Sequence, residues 1–212
     1  VVELWPAGGW YAEILAPYLM ENGRYIAAHF NPASEHRLAE LFRRVLGQFE
    51  ERVSNELTVF AKVEIVAFEP PVISGLPDDA SVDMVLTFRN AHNWLAVERF
   101  DDVLADVFAA LKPGGVFGVI DHRANSDAEI DPLARNGYVN QDEMIRMVTV
   151  AGFALVATSE INANPADTAD HPNGVWTLPP SNRVPEGEDG ARYQAIGESD
   201  RMTLKFVKPA QD

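Results

Sequence analysis

The side chains best suited to chemistry recur at one kind of place in this sequence, at or just beyond the ends of short β-type runs. Glu3, Trp5 and the pair Gly8-Gly9 go with the opening run Val1-Val2-Glu3-Leu4, His29 and Asn31 with Arg24 to Phe30, and Glu69 with Val63 to Phe68. Arg89, Asn90 and His92 follow Val82 to Phe88, and Asp121, His122 and Arg123 follow Val116 to Ile120. Imidazole titrates near neutrality, so His92 and His122 are the candidate general bases, with a purely structural hydrogen-bonding role as the alternative for each. Asp121 is placed to orient His122 or to bind substrate, and Arg89 to pair with a carboxylate on a ligand or with a neighbouring helix. Carboxylate and imidazole also ligate transition metals, but adjacent side chains on an extended segment point apart, so Asp121 and His122 are not expected to share an ion and no metal is assigned. Paired glycines at a strand-to-helix turn allow close backbone approach to a ligand, or simply a tight turn.

The elements that must position these groups alternate. After the opening run and its turn, Ile14, Leu15, Tyr18 and Leu19 recur at helical spacing, with Pro17 expected to kink that helix and Asn22-Gly23 to end it. Asn31-Pro32-Ala33-Ser34 opens a helix whose stripe is Leu38, Leu41, Phe42, Val45, Leu46 and Phe49. The Pro/Gly/Asp-rich connection between Phe68 and Val82 is too broken for a regular helix. Phe100, Val103, Leu104, Val107, Phe108 and Leu111 mark the next helix, stopped by Lys112-Pro113-Gly114-Gly115. Asn140 with Glu143 has the form of a capping box for a helix through Val150, which Gly152 is placed to end. Phe153 to Ile161 and Met202 to Val207 are the last strands, joined without a regular helix, so an antiparallel strand is expected near one edge. The polar segment 162–200 between them is long for a loop and reads as a lid or binding segment, or as a surface loop; Trp176 within it, with Trp94, Trp10 and Tyr11, is a candidate pocket wall, core packing being the alternative for the aromatics at helical spacing. Strands alternating with helices imply an α/β fold with a mostly parallel sheet covered on both faces, whose ligands bind beyond the carboxyl ends of the strands.

Composition excludes more than it assigns. The 212 residues are ordinary in hydrophobic (47%) and charged (23%) content, which suits one globular domain. A formal net charge of −15 disfavours nucleic acid and anionic membranes as partners. With no cysteine, disulfides, thiolate metal sites and cysteine nucleophiles are impossible. Nowhere do about 18 consecutive apolar residues occur, as a membrane span would need. The chain opens on Val1 inside a strand, so an upstream segment is expected to be missing; a cytoplasmic location is expected, or a periplasmic one if that segment was a leader. Oligomeric state is left open.

The sequence from Glu3-Leu4-Trp5-Pro6-Ala7-Gly8-Gly9 through Leu111-Lys112-Pro113-Gly114-Gly115 resembles the class I S-adenosylmethionine-dependent methyltransferases. Val1-Val2-Glu3-Leu4-Trp5-Pro6, Asp121-His122-Arg123-Ala124, Ala151-Gly152-Phe153 and Asp200-Arg201-Met202 look like an uncharacterised bacterial group of predicted methyltransferases within it. The resemblance implies a three-layer Rossmann-like fold, a seven-stranded sheet with one antiparallel strand near the edge, and S-adenosylmethionine as cofactor. It implies that Glu3 and the turn Trp5, Ala7, Gly8 and Gly9 meet the amino-acid end of the cofactor. His29 and Asn31 then stand at the ribose, where the superfamily has an acidic residue, and Glu69 near the adenine; Arg89 and Asn90 complete the cofactor set. The sequence departs from the superfamily in that Trp5 and Ala7 occupy the first two glycine positions of the turn, leaving Gly9 in register.

Three functions are compatible with these residues. The first is methyl transfer to a small molecule or protein side chain, with His92, His122 and Asp121 as the catalytic candidates. The second is a non-catalytic module of the same fold with a degenerate cofactor site, and the third a nicotinamide-dependent oxidoreductase, which the non-glycine turn opposes. The first requires the bend at positions 5–9 to leave an open notch that neither Trp5 nor Trp10 plugs beyond relief.

Overall fold

The computed structural model describes residues 1–210. Its elements begin β1 (Val2–Leu4), α1 (Ala12–Leu19), β2 (Tyr25–His29), α2 (Ala39–Asn55), α3 (Leu57–Phe60), β3 (Val63–Glu69), β4 (Ile73–Ser74) and β5 (Val82–Phe88). They continue α4 (Ala91–Leu95), α5 (Phe100–Ala110), β6 (Leu111–His122), α6 (Gln141–Val150), β7 (Ala154–Ser159), a 3-10 turn over Gly174–Thr177, α7 (Gly190–Ile196) and β8 (Arg201–Val207). Among the described residues no helix is long and apolar enough to cross a membrane.

The strands form a sheet in the order β4-β3-β2-β1-β5-β6-β8-β7. β1 pairs in parallel with both β2 and β5, and β2 with β3, while β4 on β3 and β7 on β8 are antiparallel. The residues of β1 and β2 are all buried, as strands covered on both faces must be, whereas β7 at the edge is largely exposed. This is the Rossmann-like α/β arrangement expected, with two corrections. Among the described residues there are eight strands instead of seven, and antiparallel pairing occurs at both edges. The additional strand, β4, is two exposed residues inside the Pro/Gly/Asp-rich connection, too short to show any alternation in the sequence.

The chain packs as two compact units, one of Val1–Thr87, Asp102–Phe117 and the end from Lys208, the other of Phe88–Asp101 and Gly118–Val207. In the first, Ala12 and Ala16 of α1 pack with Tyr25 and Ala27 of β2, Phe49 of α2 and Phe60 of α3. Phe49 is fully buried, a contribution of about 2–3 kcal/mol. It also dictates Gly9: φ there is +82°, and a Cβ would lie 2.6 Å from the Phe49 ring. α2 starts at Ala39, five residues beyond the expected Ser34, because Asn31 and Ser34 bind a carboxylate instead of opening the helix.

In the second unit α6 begins as the sequence indicates. The Asn140 side chain accepts a hydrogen bond from the Glu143 amide at 3.0 Å, and Gly152 follows the helix with φ 102°. The Glu143 carboxylate pairs with Arg146 and does not reach back, so half of the capping box forms. The segment 162–200 is tied down by polar groups. Asp167 accepts from Tyr138 Oη, His171 Nε2 and the Asp200 amide at 2.8–3.0 Å. Val175 donates its amide to Asn136 O, and Gly174, at φ +58°, permits the approach, since a Cβ there would lie 2.1 Å from that same oxygen.

Candidate functional site

The first unit gathers Glu3, Trp5, Ala7, Gly8, Gly9, His29, Asn31 and Glu69 about the ends of β1, β2 and β3. The turn after β1 keeps the backbone conformation that glycines supply: φ is +47° at Trp5, +49° at Ala7 and +82° at Gly9. For the two non-glycine residues this left-handed conformation costs roughly 1–2 kcal/mol each, which the surroundings must offset. Part of the offset is visible. The Trp5 amide donates to Ala28 O at 2.8 Å, and its indole Nε1 donates to Phe68 O at 2.8 Å. Its ring lies tilted on Phe30 and Phe42, at 4.9 and 5.6 Å, and those two rings are themselves stacked 4.2 Å apart. The Trp5 side chain therefore runs from the end of β1 to the end of β3, past the end of β2. Trp10, by contrast, is 64% exposed.

His29 is fully buried. Its Nδ1 accepts from the Phe30 amide at 2.8 Å, so Nε2 carries the proton and donates to Ala7 O at 3.0 Å. Burial lowers its pKa to about 4, the Ala7 carbonyl partly opposing, and the ring is neutral at physiological pH. Asn31 donates through Nδ2 to Glu69 and accepts the Ala33 amide through Oδ1. Ser34, which the sequence offers only as a helix opener, donates to the other Glu69 oxygen at 2.6 Å.

Glu3 is buried and accepts the Tyr25 hydroxyl at 2.5 Å. Desolvation pushes its carboxyl from 4.5 up to about 7, the Tyr25 hydrogen bond partly opposing. A raised carboxyl pKa means that the fold prefers the protonated form. The associated stability is complete below the ordinary carboxylate range and is lost as pH climbs through 7, a difference of about 3 kcal/mol. Glu3→Gln is therefore expected to be more stable than the native chain by roughly 2–3 kcal/mol at pH 8 and by less than about 1 kcal/mol at pH 5. Urea denaturation at the two pH values checks this; a pH-independent difference would show that Glu3 does not titrate in the fold.

The second unit brings together Arg89, Asn90, His92, Asp121 and His122. Arg89 follows β5 with φ +60°, and its amide donates to Ile120 O at 2.7 Å, which fixes the turn into α4 beside the end of β6. Asn90 is the residue preceding α4 and His92 lies in its first turn. Asp121 is fully buried and accepts three N–H groups: the His92 amide (3.2 Å), His92 Nδ1 (2.9 Å) and the His122 amide (2.7 Å). Burial works against its charge, but the two imidazoles and the His122 amide outweigh it and hold the carboxyl below its ordinary value. Because the carboxylate accepts Nδ1–H, Nε2 is the His92 ring nitrogen left for a ligand. His122 Nδ1 meets Ser199 Oγ at 2.5 Å. Burial lowers the His122 pKa to about 3 against the opposing pull of Asp121, with His92, Arg89 and Arg201 adding to the lowering.

The geometric expectation for a metal is corrected. The Asp121 carboxylate folds back toward its own chain neighbour, the two imidazoles lie 5.2 Å apart, and one ligating atom from each of His92, Asp121 and His122 lies within 4.8 Å of the others. Asp121 orients His92 directly and touches His122 through its amide. Trp176 reaches the cluster, with its ring edge-on to His92 at 6.1 Å, as does Tyr138, at 6.3 Å from His122. Ser199 and Arg201 are additions that strand-end reading does not find, because they stand at the start of β8 and not at the end of a strand. The hydrogen bond from the Arg123 amide to Asp200 O, 2.9 Å, aligns that start with the end of β6.

No protein-family model matches the sequence, and no curated protein matches it either. Solved structures do match over nearly the whole chain. A S-adenosylmethionine-dependent methyltransferase from Aquifex aeolicus is 15% identical, with 98% of this chain and 80% of that one covered and a TM-score of 0.60. The N-methyltransferase NodS from Bradyrhizobium japonicum WM9, in complex with S-adenosyl-L-homocysteine, is 15% identical, with 98% and 76% covered and a TM-score of 0.57. The [4+2]-cyclase SpnF is 12% identical, with 99% and 74% covered and a TM-score of 0.62. The fold of this chain is thus that of the class I S-adenosylmethionine-dependent methyltransferases. A cyclase among such similar structures is a reminder that fold alone does not set the reaction.

Proposed function

We propose that this chain is a S-adenosylmethionine-dependent methyltransferase acting on a small molecule or a protein side chain. The observation that carries the reading is the turn after Glu3, where Trp5, Ala7 and Gly9 all hold left-handed φ at the spacing at which the superfamily sets glycines. Retaining that conformation at two non-glycine residues supports a bend kept for a ligand. Glu3 and the turn would hold the amino-acid end, and Glu69, half-buried and with lone pairs to spare beyond its two donors, is the carboxylate available to the ribose. The cofactor supplies a methyl group already activated by the sulfonium charge. What remains for the protein is alignment, proton removal and exclusion of water. Asp121 holds His92 in one tautomer, and His92 Nε2 is the base that takes a proton from the acceptor's hydroxyl or amine. His122, held by Ser199, is the second imidazole beside it, and Trp176 walls the His92 side.

A specific observation favours the non-catalytic reading. The adenosine end does not fit while the Trp5 indole lies across it to Phe68, and His29 and Asn31 have both their polar side-chain atoms engaged. The methyltransferase reading therefore requires Trp5 to turn away. The hydrogen bond to Phe68 O at about 1 kcal/mol and the ring contacts with Phe30 and Phe42 at about 0.5–1.5 kcal/mol each contribute roughly 2–4 kcal/mol to holding it. That lowers affinity by about 30- to 1000-fold without abolishing it. Calorimetry of the whole chain with S-adenosylhomocysteine is expected to give a dissociation constant between about 10 μM and 1 mM. Absence of heat at millimolar ligand would leave the non-catalytic module.

A further inference from the structure

The hydrogen-bonding capacity left over around His92 and His122 is of one kind. Asp121 is fully buried and spends most of its acceptor capacity internally, on three N–H groups. Two arginines beside the same cluster have donors to spare. The Arg89 guanidinium makes no hydrogen bond or ion pair among the described residues, although the residue is only partly exposed and its left-handed backbone is pinned to Ile120 O. Arg201 pairs through one terminal nitrogen with Glu198 at 2.7 Å, but its Nε is buried and has no partner. A buried donor left unpaired is costly, typically about 1–3 kcal/mol, and calls for an acceptor.

The positions of the two arginines follow from the backbone. Arg89 comes directly after β5 and bonds the residue before Asp121, while Arg201 lies two residues beyond Ser199, whose hydroxyl meets His122. Both guanidiniums lie near enough to His122 to oppose its protonation. The nearby Arg123 shows the contrast, since its guanidinium is fully engaged with Glu160, Asp200 and Gln141. Two neighbouring cations also oppose a dication at His92, Asp121 and His122, so the free donors suit an anion better than that trio suits a metal. The Nε2 atoms of His92 and His122 make no hydrogen bond among the described residues, and the two rings lie 5.2 Å apart, so they suit a protonated hydroxyl or amine next to the anionic group.

We infer that the methyl acceptor carries an anionic group, a carboxylate or a phosphate, bound by Arg89 and Arg201 beside His92 and His122. Calling the ligand a methyl acceptor rests on the methyltransferase reading; the anion site does not. A planar carboxylate matches the fork of one arginine, and a phosphate spans both.

The test is titration of the whole chain with sodium acetate and, separately, with inorganic phosphate, at constant ionic strength made up with chloride, followed by calorimetry and by the imidazole proton resonances of His92 and His122. At least one of the two anions is expected to saturate with a dissociation constant of about 1–10 mM while moving both imidazoles, and the stronger binder identifies the group. Arg89→Ala, which breaks no side-chain hydrogen bond or ion pair among the described residues, is expected to weaken that binding at least about tenfold. Arg201→Lys, which keeps the charge and removes Nε, is expected to weaken it by about three- to tenfold. Saturation by neither anion up to about 50 mM, or equal binding in Arg89→Ala, would overturn the inference. The two readings fail separately: anion binding without S-adenosylhomocysteine binding removes only the methyl transfer, and the reverse removes only the anion site.

Discussion

Replacing Asp121 by asparagine is expected to cost about 2–4 kcal/mol of stability and to release the His92 ring from its single tautomer. The substitution keeps shape and volume and changes only the pattern of donors and acceptors. The native carboxylate is fully buried and presents acceptors to three N–H groups, of which the His92 amide belongs to the first turn of α4 and has no partner inside that helix. An asparagine has one acceptor oxygen and sets an NH2 group against donors where the second oxygen stood. One or two buried N–H groups are then left unpaired, each at about 1–3 kcal/mol. For a chain of this size that lowers the melting temperature by roughly 5–15 °C. If the amide instead donates to His92 Nδ1, the ring must move its proton to Nε2 and loses the lone pair assigned to proton removal, so methyl transfer should fall by at least about a hundredfold. Urea denaturation and the nitrogen resonances of the imidazole read the two effects separately. A loss below about 0.5 kcal/mol with the His92 tautomer unchanged would mean that Asp121 does not hold the ring.

The Asp121 cluster was legible in the sequence because it follows from topology. In an open α/β sheet the residues just past adjacent strand ends converge, and His92, Asp121 and His122 each stand there. What could not be read was anything set by the destination of a side chain. His29 stands where the superfamily has a ribose acid, yet its role in the fold is decided by the Ala7 carbonyl and the Phe30 amide, which take up both its ring nitrogens. The extended geometry of Asp121-His122 suggested divergent side chains; the Asp121 carboxylate instead turns back onto the His122 amide. Ser199 and Arg201 stand at the start of a strand, where strand-end reading does not look, and they join the cluster because the start of β8 lies beside the end of β6. The start of α2 was misplaced for a related reason. Asn31 and Ser34 are good helix-opening residues, but Glu69, distant in sequence, binds both. The buried strands β1 and β2 and the Asn140-capped α6 carry signals within their own few residues, and those came through.

Trp5→Gly is expected to tighten binding of S-adenosylhomocysteine at least about tenfold while costing little stability. Two opposing effects act on the fold. Glycine removes the left-handed strain at φ +47°, a gain of roughly 1–2 kcal/mol. Against that, the indole's bond to Phe68 O and its contacts with Phe30 and Phe42 are lost, roughly 2–4 kcal/mol. The native indole is only half-buried, so water can reach the freed Phe68 carbonyl and the net loss should stay near 1–2 kcal/mol. For the ligand only one effect remains, because the side chain running past the end of β2 no longer has to be displaced. Trp5→Phe, which keeps a ring but lacks the N–H, should bind with intermediate strength, separating the part due to bulk from the part due to the Phe68 bond. Calorimetry on the native chain and the two variants decides between the functional readings. Ordered affinities, Gly above Phe above Trp, would mean that the adenosine track is intact beneath Trp5 and occluded by it, as the methyltransferase reading requires. Equal affinities would place the ligand away from Trp5. If Trp5→Gly gives no heat at millimolar ligand, the bend after β1 is a relic of the fold and the non-catalytic module is the function that remains.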